Sequence, residues 1–382
     1  MKDFEPPPFL RNIEKSPIRK ISDRAKPGDI SLGLGEPDLP TPDVIRQAAI
    51  KVIAEEQNGY TLQAGLPELR ERVANDYPDL RLTGDQVVIT AGSQEALYLA
   101  LMTLVQSGDE VLIPDPGFVA YPTIVRMAGG TPITYRMGAE TGFSFSAESF
   151  QRSISPRTSV VVCVSPSNPT GRTLSAGDLS GIAAVLKGTG IYLLSDEIYR
   201  DIYFTKERPQ SASSFYERTI VISGLSKSMS MTGWRLGWIC GDEAVIRSAL
   251  VLHGYVTTCA STVSQKAGLA AWTPEAETAR AEIRHTFHRR RDYLIHLIRR
   301  ELGLTAVVPD GAFYTMMNVS EYGPSLAVAE NLLEHGVITV PGSAFGGEGE
   351  GYLRISFCAD EPKLEEGVAR MERALSVQGR SK

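Results

Sequence analysis

The strongest constraint on the fold is a set of short apolar segments that each end in a polar turn. The run Ser159–Val164 contains three consecutive valines, and Ile191–Ser195 is similarly apolar. Runs of this length and composition predict strands that are buried on both faces, as in parallel sheets. Further strands are predicted at these positions: Gln86–Thr90, Glu110–Ile113, Ile220–Ile222 and Leu236–Cys240. Because ligands bind beyond the carboxyl ends of strands in open α/β sheets, the segments after these runs are candidates for a functional site.

One of these segments, a turn rich in Ser and Gly between two predicted strands, contains a lysine. Lys227 follows Ser226, and Arg235 lies eight residues later. Burial among small residues lowers the pKa of a lysine and frees its amine as a nucleophile. The guanidinium of Arg235 is a fork that suits a phosphate dianion. This combination matches what pyridoxal phosphate requires, although a solvated loop lysine is the simpler explanation of Lys227 taken alone.

The same turn resembles the cofactor-lysine signature of class I/II aminotransferases, Ser-x-x-Ser-Lys followed by Thr-Gly-Trp-Arg-x-Gly. The resemblance extends from about Leu32 to Ser356, with the motifs in the family's order. It implies a fold type I α/β protein whose large domain, residues 46–282, has a mostly parallel sheet with helices on both faces. A smaller α+β domain is expected from residues 11–45 and 283–382, and an extended arm from residues 1–10.

A predicted site for the cofactor's phosphate follows the strand that ends at Thr90. Gly92, Ser93 and Gln94 begin a predicted helix there, where free backbone N–H groups and the helix dipole attract an anion. An ordinary turn with a serine cap is the alternative. The resemblance places the phosphate on these residues, with Ser226 and Arg235, and implies that Tyr60 reaches the phosphate of a neighbouring subunit in a homodimer. Some family members selective for acidic substrates carry lysine where Gln94 stands, so strict specificity for aspartate is not implied.

A predicted site for the cofactor's ring begins at Asp196, at the end of a buried strand. A buried carboxylate needs a cation or several donors, or it is neutralised, and a protonated pyridine nitrogen meets that need. A helix-capping Asp with a packed Tyr199 on the same side of a helical turn is the alternative. The resemblance implies that Tyr199 and Asn168, in Asn-Pro-Thr-Gly, reach the phenolic oxygen. It also implies that Phe118 stacks on the ring.

A predicted substrate site centres on Arg354. Alternation in Tyr352–Phe357 places Arg354 on the face opposite to three apolar residues. Solvation on an edge strand is the alternative. The resemblance implies that Arg354 binds the substrate's α-carboxylate with both nitrogens, which a lysine could not do, and that the backbone amide of Gly35 helps. Tyr314 is a candidate for contact with the substrate's side chain.

The resemblance implies an aminotransferase that moves the α-amino group of an amino acid to a 2-oxo acid. The expected mechanism is ping-pong, through a Schiff base on Lys227. The same site could instead perform β-elimination, as in a carbon–sulfur lyase, or cyclisation. A regulator would need an attached DNA-binding domain, for which the residues before Ser31 leave no room. A binding protein without catalysis is disfavoured by the complete set of predicted site residues.

Composition excludes other classes of function. The net charge of −6 argues against a nucleic-acid partner, and the basic run His288–Arg291 is interpreted as a solvated helix face. No apolar run approaches the length of a membrane span, and the amino terminus lacks a signal-peptide core. The four cysteines have no spacing typical of a metal site or a redox pair, which favours free thiols in the cytoplasm.

Overall fold

The computed structural model describes residues 4–6, 11, 13, 15, 17–56 and 58–379. Much of the expected amino-terminal arm, residues 1–3 and 7–10, therefore lies outside the described residues. The strands, in chain order, are β1 (Ile30–Ser31), β2 (Val87–Thr90), β3 (Glu110–Asp115), β4 (Thr131–Arg136), β5 (Thr158–Val164), β6 (Tyr192–Asp196), β7 (Thr219–Gly224), β8 (Gly237–Cys240), β9 (Tyr314–Asn318), β10 (Val337–Ile338), β11 (Val340–Pro341) and β12 (Tyr352–Ser356).

The α-helices alternate with these strands through much of the chain. In chain order they are α1 (Pro17–Ser22), α2 (Asp43–Ala54), α3 (Pro67–Asn75), α4 (Ser93–Leu104), α5 (Ala120–Met127), α6 (Ala147–Ser153), α7 (Ala176–Leu186), α8 (Glu243–Val256), α9 (Thr262–Gly268), α10 (Pro274–Leu297), α11 (Ser325–Glu334) and α12 (Glu361–Gln378). Among the described residues, no helix combines the length and the apolar character that crossing a membrane requires.

The largest sheet contains seven strands in the order β2–β8–β7–β6–β5–β3–β4. Strands β4, β3, β5, β6 and β7 run parallel, whereas β8 is antiparallel to both of its neighbours. This mostly parallel sheet confirms the predicted α/β fold class, and the six strands predicted for it are present. β4 was not predicted, because it lies at the half-exposed edge and has no continuous apolar run.

Both faces of this sheet are buried, as its apolar runs predict. In β5, Val160 and Val162 pack in one hydrophobic cluster with residues of α4, α5 and α8. Val161 and Cys163, which point to the opposite face, pack in another cluster with residues of α6 and α7. Helices therefore cover the sheet on both sides, and the carboxyl ends of the parallel strands meet at one edge.

A second, antiparallel sheet has the order β11–β12–β9, and β1 pairs with β10 in parallel. Helix α10 has 24 residues and continues into a π-helical turn, Ile298–Leu302. Its predicted apolar stripe is buried in the hydrophobic cluster that also contains the small sheet: Ile283, Phe287, Leu294 and Leu297. The domain limits 11–45, 46–282 and 283–382 stay predictions.

Candidate active site

A cavity of about 250 Å³ lies beyond the carboxyl ends of β5, β6 and β7. Its lining brings together most of the predicted site residues: Gly35, Ser93, Gln94, Phe118, Asn168, Asp196, Tyr199, Ser226, Lys227, Arg235 and Arg354. It also includes residues to which the sequence assigned no role or only a side-chain contact: Ile18, Tyr121, Val164, Ile198, Thr232 and Tyr314. Two predicted site residues, Gly92 and Tyr60, are not part of this lining.

Lys227 lies just after β7, and its amine faces the loop that contains Gly35. The Nζ atom donates a hydrogen bond to the carbonyl oxygen of Gly35 at 2.7 Å. Burial lowers the pKa of Lys227, and the nearby Arg354 and Arg235 act in the same direction, while Glu36 opposes them. The cavity therefore favours the neutral amine, which can act as a base or a nucleophile.

Asp196 ends β6 and is buried, with 7% of its surface exposed. Its Oδ2 accepts a hydrogen bond from the hydroxyl of Tyr121 at 2.8 Å, and its Oδ1 accepts one from the backbone N–H of Ile198 at 3.2 Å. Burial raises the pKa of Asp196 from 3.8 to about 6, although both hydrogen bonds lower it. The carboxylate thus has donors but lacks the full solvation of an anion, so the site favours a cation next to it.

Arg354 is only 2% exposed, because β12 is the middle strand of its sheet. The alternative of a solvated arginine on an edge strand is therefore wrong. Its Nη1 donates to Oδ1 of Asn168 at 2.9 Å, and its Nη2 donates to the carbonyl oxygen of Gly33. The Nε atom is buried and has no partner among the described residues. A buried guanidinium without a carboxylate is costly, so this site favours an anionic ligand.

Two rings and the amide of Asn168 surround this guanidinium. The Cζ atom of Arg354 lies 4.3 Å from the ring centroid of Tyr314 and 4.8 Å from that of Phe345. Asn168 uses its oxygen to accept from Arg354, which leaves its NH₂ group as the end that can donate to a ligand. Tyr314 is therefore positioned against Arg354, rather than only against a substrate side chain.

Tyr199 lies in a turn and not in the predicted helical turn. Two backbone hydrogen bonds between residues three positions apart form this turn. The N–H of Arg200 donates to the carbonyl oxygen of Glu197 (3.0 Å), and the N–H of Ile202 donates to that of Tyr199 (2.8 Å). The hydroxyl groups of Tyr199 and Tyr314 are 3.0 Å apart and hydrogen bonded. Tyr199 nevertheless lines the same cavity as Asp196. The predicted position of Tyr199 beside the site therefore does not depend on a helix.

The other end of the cavity is formed by the start of α4 and by Arg235. Arg235 donates from Nη1 to the carbonyl oxygen of Thr232 at 3.0 Å, and from Nη2 to that of Ala91 at 3.2 Å. Gly92 has φ of 84°, and a Cβ there would collide with this guanidinium. The N–H of Gly92 donates to the carbonyl oxygen of Thr90 and is therefore already used. The candidate donors to an anion are the N–H groups of Ser93 and Gln94, at the start of the helix.

A buried hydroxyl and an aromatic ring complete the two ends of the cavity. The Oγ of Ser226 is buried and has no partner among the described residues, which suits a ligand oxygen. The half-buried ring of Phe118 packs edge-to-face on Tyr121, with 5.6 Å between the ring centroids. Tyr60 lies away from the cavity and is 88% exposed, so its predicted role in a neighbouring subunit stays a prediction.

Comparisons with known proteins agree on the family that this chain resembles. The family model described as aminotransferase class I and II matches residues 27–371. The chain is 38% identical to a probable N-acetyl-LL-diaminopimelate aminotransferase of Bacillus subtilis, over 96% of this chain and 94% of that protein. It is 36% identical to aromatic-amino-acid aminotransferase 2 of Thermococcus litoralis, over 96% and 97%. The structure of the Thermus thermophilus aspartate aminotransferase with maleate superposes with a TM-score of 0.93 at 33% identity, covering 98% of this chain and 100% of that one.

Proposed function

The chain belongs to the class I and II aminotransferase family, and on that premise we propose how its cavity performs amino-group transfer. The enzyme is a pyridoxal-phosphate-dependent aminotransferase whose substrates are an amino acid and a 2-oxo acid. The observation that carries the proposal is that a lysine amine, a buried carboxylate and a buried guanidinium line one cavity: Lys227, Asp196 and Arg354.

The phosphate of the cofactor binds where α4 begins. Ser93 and Gln94 offer their backbone N–H groups, and the helix dipole adds positive potential. Ser226 offers a buried hydroxyl without another partner, and Arg235 offers a planar fork. The role of Gly92 is to leave room for that guanidinium, because any side chain would collide with it.

Phe118 and the residues around Asp196 would hold the ring of the cofactor. Asp196 accepts the ring's N–H, since a cation at this position removes the cost of an ionised buried carboxylate. The hydroxyl of Tyr199 and the NH₂ group of Asn168 would donate to the phenolic oxygen. When bound, pyridoxal phosphate supplies an aldehyde that takes up the amino group and a ring that accepts the electron pair released at the substrate's Cα.

The substrate's α-carboxylate binds to Arg354, with the backbone amide of Gly35 as a second donor. Two nitrogens of a planar guanidinium match the two carboxylate oxygens, and burial strengthens the attraction. This binding leaves the Cα–H bond near Lys227, whose amine already contacts the loop of Gly35. Lys227 then takes the proton from Cα and returns it during transfer, and burial, by lowering the pKa of its amine, favours the form that can accept the proton.

The order in which the substrates bind follows from the presence of one carboxylate-binding guanidinium, that of Arg354. The amino acid and the 2-oxo acid both carry the carboxylate that Arg354 binds, so they occupy the cavity in turn. The amino group must then stay on the enzyme after the first oxo acid leaves and before the second one binds, and this retention gives ping-pong kinetics. No second buried arginine lines the cavity in the described part of the chain that could hold both acids at once.

We also propose that two copies of the chain form a homodimer in which Tyr60 of each copy reaches the phosphate site of the other. Tyr60 is almost fully exposed, and apolar residues near its loop are largely exposed as well: Leu62 (61%), Val251 (60%) and Tyr255 (90%). A second copy would cover this surface.

A cytoplasmic location is supported by the four cysteines, none of which is in a disulfide.

A single-turnover experiment tests the proposed mechanism. The purified holoenzyme is mixed with one amino acid and no 2-oxo acid, and the cofactor's visible absorbance and the products are followed. We expect one equivalent of 2-oxo acid per site, loss of the visible band, and its recovery on addition of a 2-oxo acid. Continued release of ammonia and oxo acid beyond one equivalent would instead indicate elimination and contradict the proposal.

A further inference from the structure

A buried pair of ionisable side chains lies behind the proposed phosphate site and contributes nothing to the cavity lining. His253, on α8, is fully buried, and its Nδ1 is 2.9 Å from Oε1 of Glu95. Glu95 lies in the first turn of α4, and its side chain is 8% exposed. The two residues are 158 positions apart, so the pair joins two helices.

The second oxygen of Glu95 is also used. Its Oε2 accepts a hydrogen bond from the backbone N–H of Ala91, the residue just before Gly92. The carbonyl oxygen of the same Ala91 accepts from Nη2 of Arg235 at 3.2 Å. Both backbone polar groups of Ala91 are therefore held, the N–H by Glu95 and the carbonyl by the arginine proposed to bind phosphate.

The pair is a costly way to stabilise the fold. Taking a carboxylate and an imidazole out of water carries a large desolvation cost, which well-packed apolar residues would avoid. The Nε2 of His253 is also buried and has no partner among the described residues, which adds to that cost. The position of the pair next to the phosphate turn suggests what compensates for it.

We propose that Glu95 and His253 are positioning residues for the cofactor's phosphate. His253 fixes the Glu95 carboxylate, Glu95 fixes the Ala91 peptide, and that peptide fixes both the start of α4 and the guanidinium of Arg235. The donors at Ser93 and Gln94 are thereby oriented before the phosphate arrives, so binding loses less conformational freedom. The inference rests on the proposed placement of the phosphate.

The test compares two aldehydes that differ only in the phosphate. The affinity of the cofactor-free chain for pyridoxal phosphate and for pyridoxal is measured by the change in protein fluorescence. Glu95→Ala removes a charge-assisted hydrogen bond. We expect it to lower the affinity for pyridoxal phosphate roughly tenfold or more, while the affinity for pyridoxal changes less than about twofold. Glu95→Gln keeps an oxygen for the Ala91 N–H and an amide for His253, so it should retain most of the preference for the phosphate.

A matched control removes a buried carboxylate from the large sheet, away from the cavity. Glu110 begins β3, at the opposite end of the strand from the cavity, and Ser155 and Arg157 bind its carboxylate. Glu110→Ala should leave the ratio of the two affinities unchanged. If Glu95→Ala does not fold, His253→Leu, which leaves Glu95 without its partner, should lower the same ratio.

The outcomes separate the inference from the proposed function. If the Glu95 and His253 variants lower the affinities for both aldehydes equally, or lower neither of them, the positioning role is overturned. A wild-type chain that binds pyridoxal as tightly as pyridoxal phosphate would refute the phosphate site itself. A wild-type preference that the Glu95→Ala variant keeps would refute only the role of the pair.

Discussion

Replacing Asp196 with asparagine should make the cofactor-free enzyme more stable at neutral and alkaline pH. Burial raises the pKa of Asp196 from 3.8 to about 6, so the native chain holds a proton that the unfolded chain releases. Between these two pH values the native state binds more protons, and the stability of the wild type therefore falls as the pH rises through this window. Asparagine keeps an oxygen for the Tyr121 hydroxyl but carries no charge.

The size of the effect follows from the shift. A rise of about 2 pK units corresponds to about 3 kcal/mol once the carboxylate is ionised in both states. The variant should gain about this amount near pH 8. Near pH 5 the advantage should fall to about half, because the native Asp196 is then mostly protonated while the unfolded one is mostly ionised.

Denaturant unfolding of the two cofactor-free proteins at these pH values measures the difference. Tyr121→Phe is the companion variant: it removes a hydrogen bond that lowers the pKa of Asp196 and should destabilise the protein near pH 8. Added pyridoxal phosphate should stabilise the wild type more than Asp196→Asn, because only the wild type offers an anion to the ring nitrogen. An asparagine variant that is less stable near pH 8, or whose advantage does not depend on pH, would refute the reasoning.

Three further predictions concern the substrate and the proposed dimer. Arg354→Lys should raise the KM for the amino acid roughly 10–100-fold in steady-state kinetics, since an ammonium cannot bind a carboxylate with two nitrogens, and an unchanged KM would exclude the clamp. Gly35→Ala should raise the KM for the amino acid, because a Cβ there collides with the Tyr314 hydroxyl, whereas the exposed Gly177→Ala, with no close neighbour, should not. Tyr60→Phe should weaken cofactor binding, and mixing it with a chain inactivated at Arg235 should give hybrid dimers that regain one intact site; no recovery would argue against shared sites.

Residues in continuous motifs could be located from the sequence alone. The strand, turn and strand around Lys227 are local features, and the apolar runs on either side determine which residues follow the buried strands. The convergence of the turns after β5, β6 and β7 then follows from parallel pairing. Within the described residues, the sequence thus predicted most of the cavity lining, although the roles of these residues stay proposals.

Contacts between distant segments could not be predicted. The hydroxyl of Tyr121 reaches Asp196 across 75 positions, and only the pairing of β3, β5 and β6 brings the two together.

Helical periodicity could have shown that part of the basic run His288–Arg291 is buried. Arg290 lies between Phe287 and Leu294 on the buried stripe of α10, and it is buried in a two-pronged ion pair with Asp38 at 2.6 and 3.0 Å. The solvated-face interpretation of that basic run is therefore wrong for Arg290, whose charge is neutralised by a partner, and for Arg291, whose side chain is only 12% exposed.

The identity of the cofactor lysine can be measured directly. The holoenzyme is reduced with borohydride, digested, and analysed by mass spectrometry for a phosphopyridoxyl group. We predict one modified peptide, with the group on Lys227, and loss of both the label and the visible absorbance in Lys227→Ala. A label on another lysine, or unchanged absorbance in that variant, would contradict the central assignment.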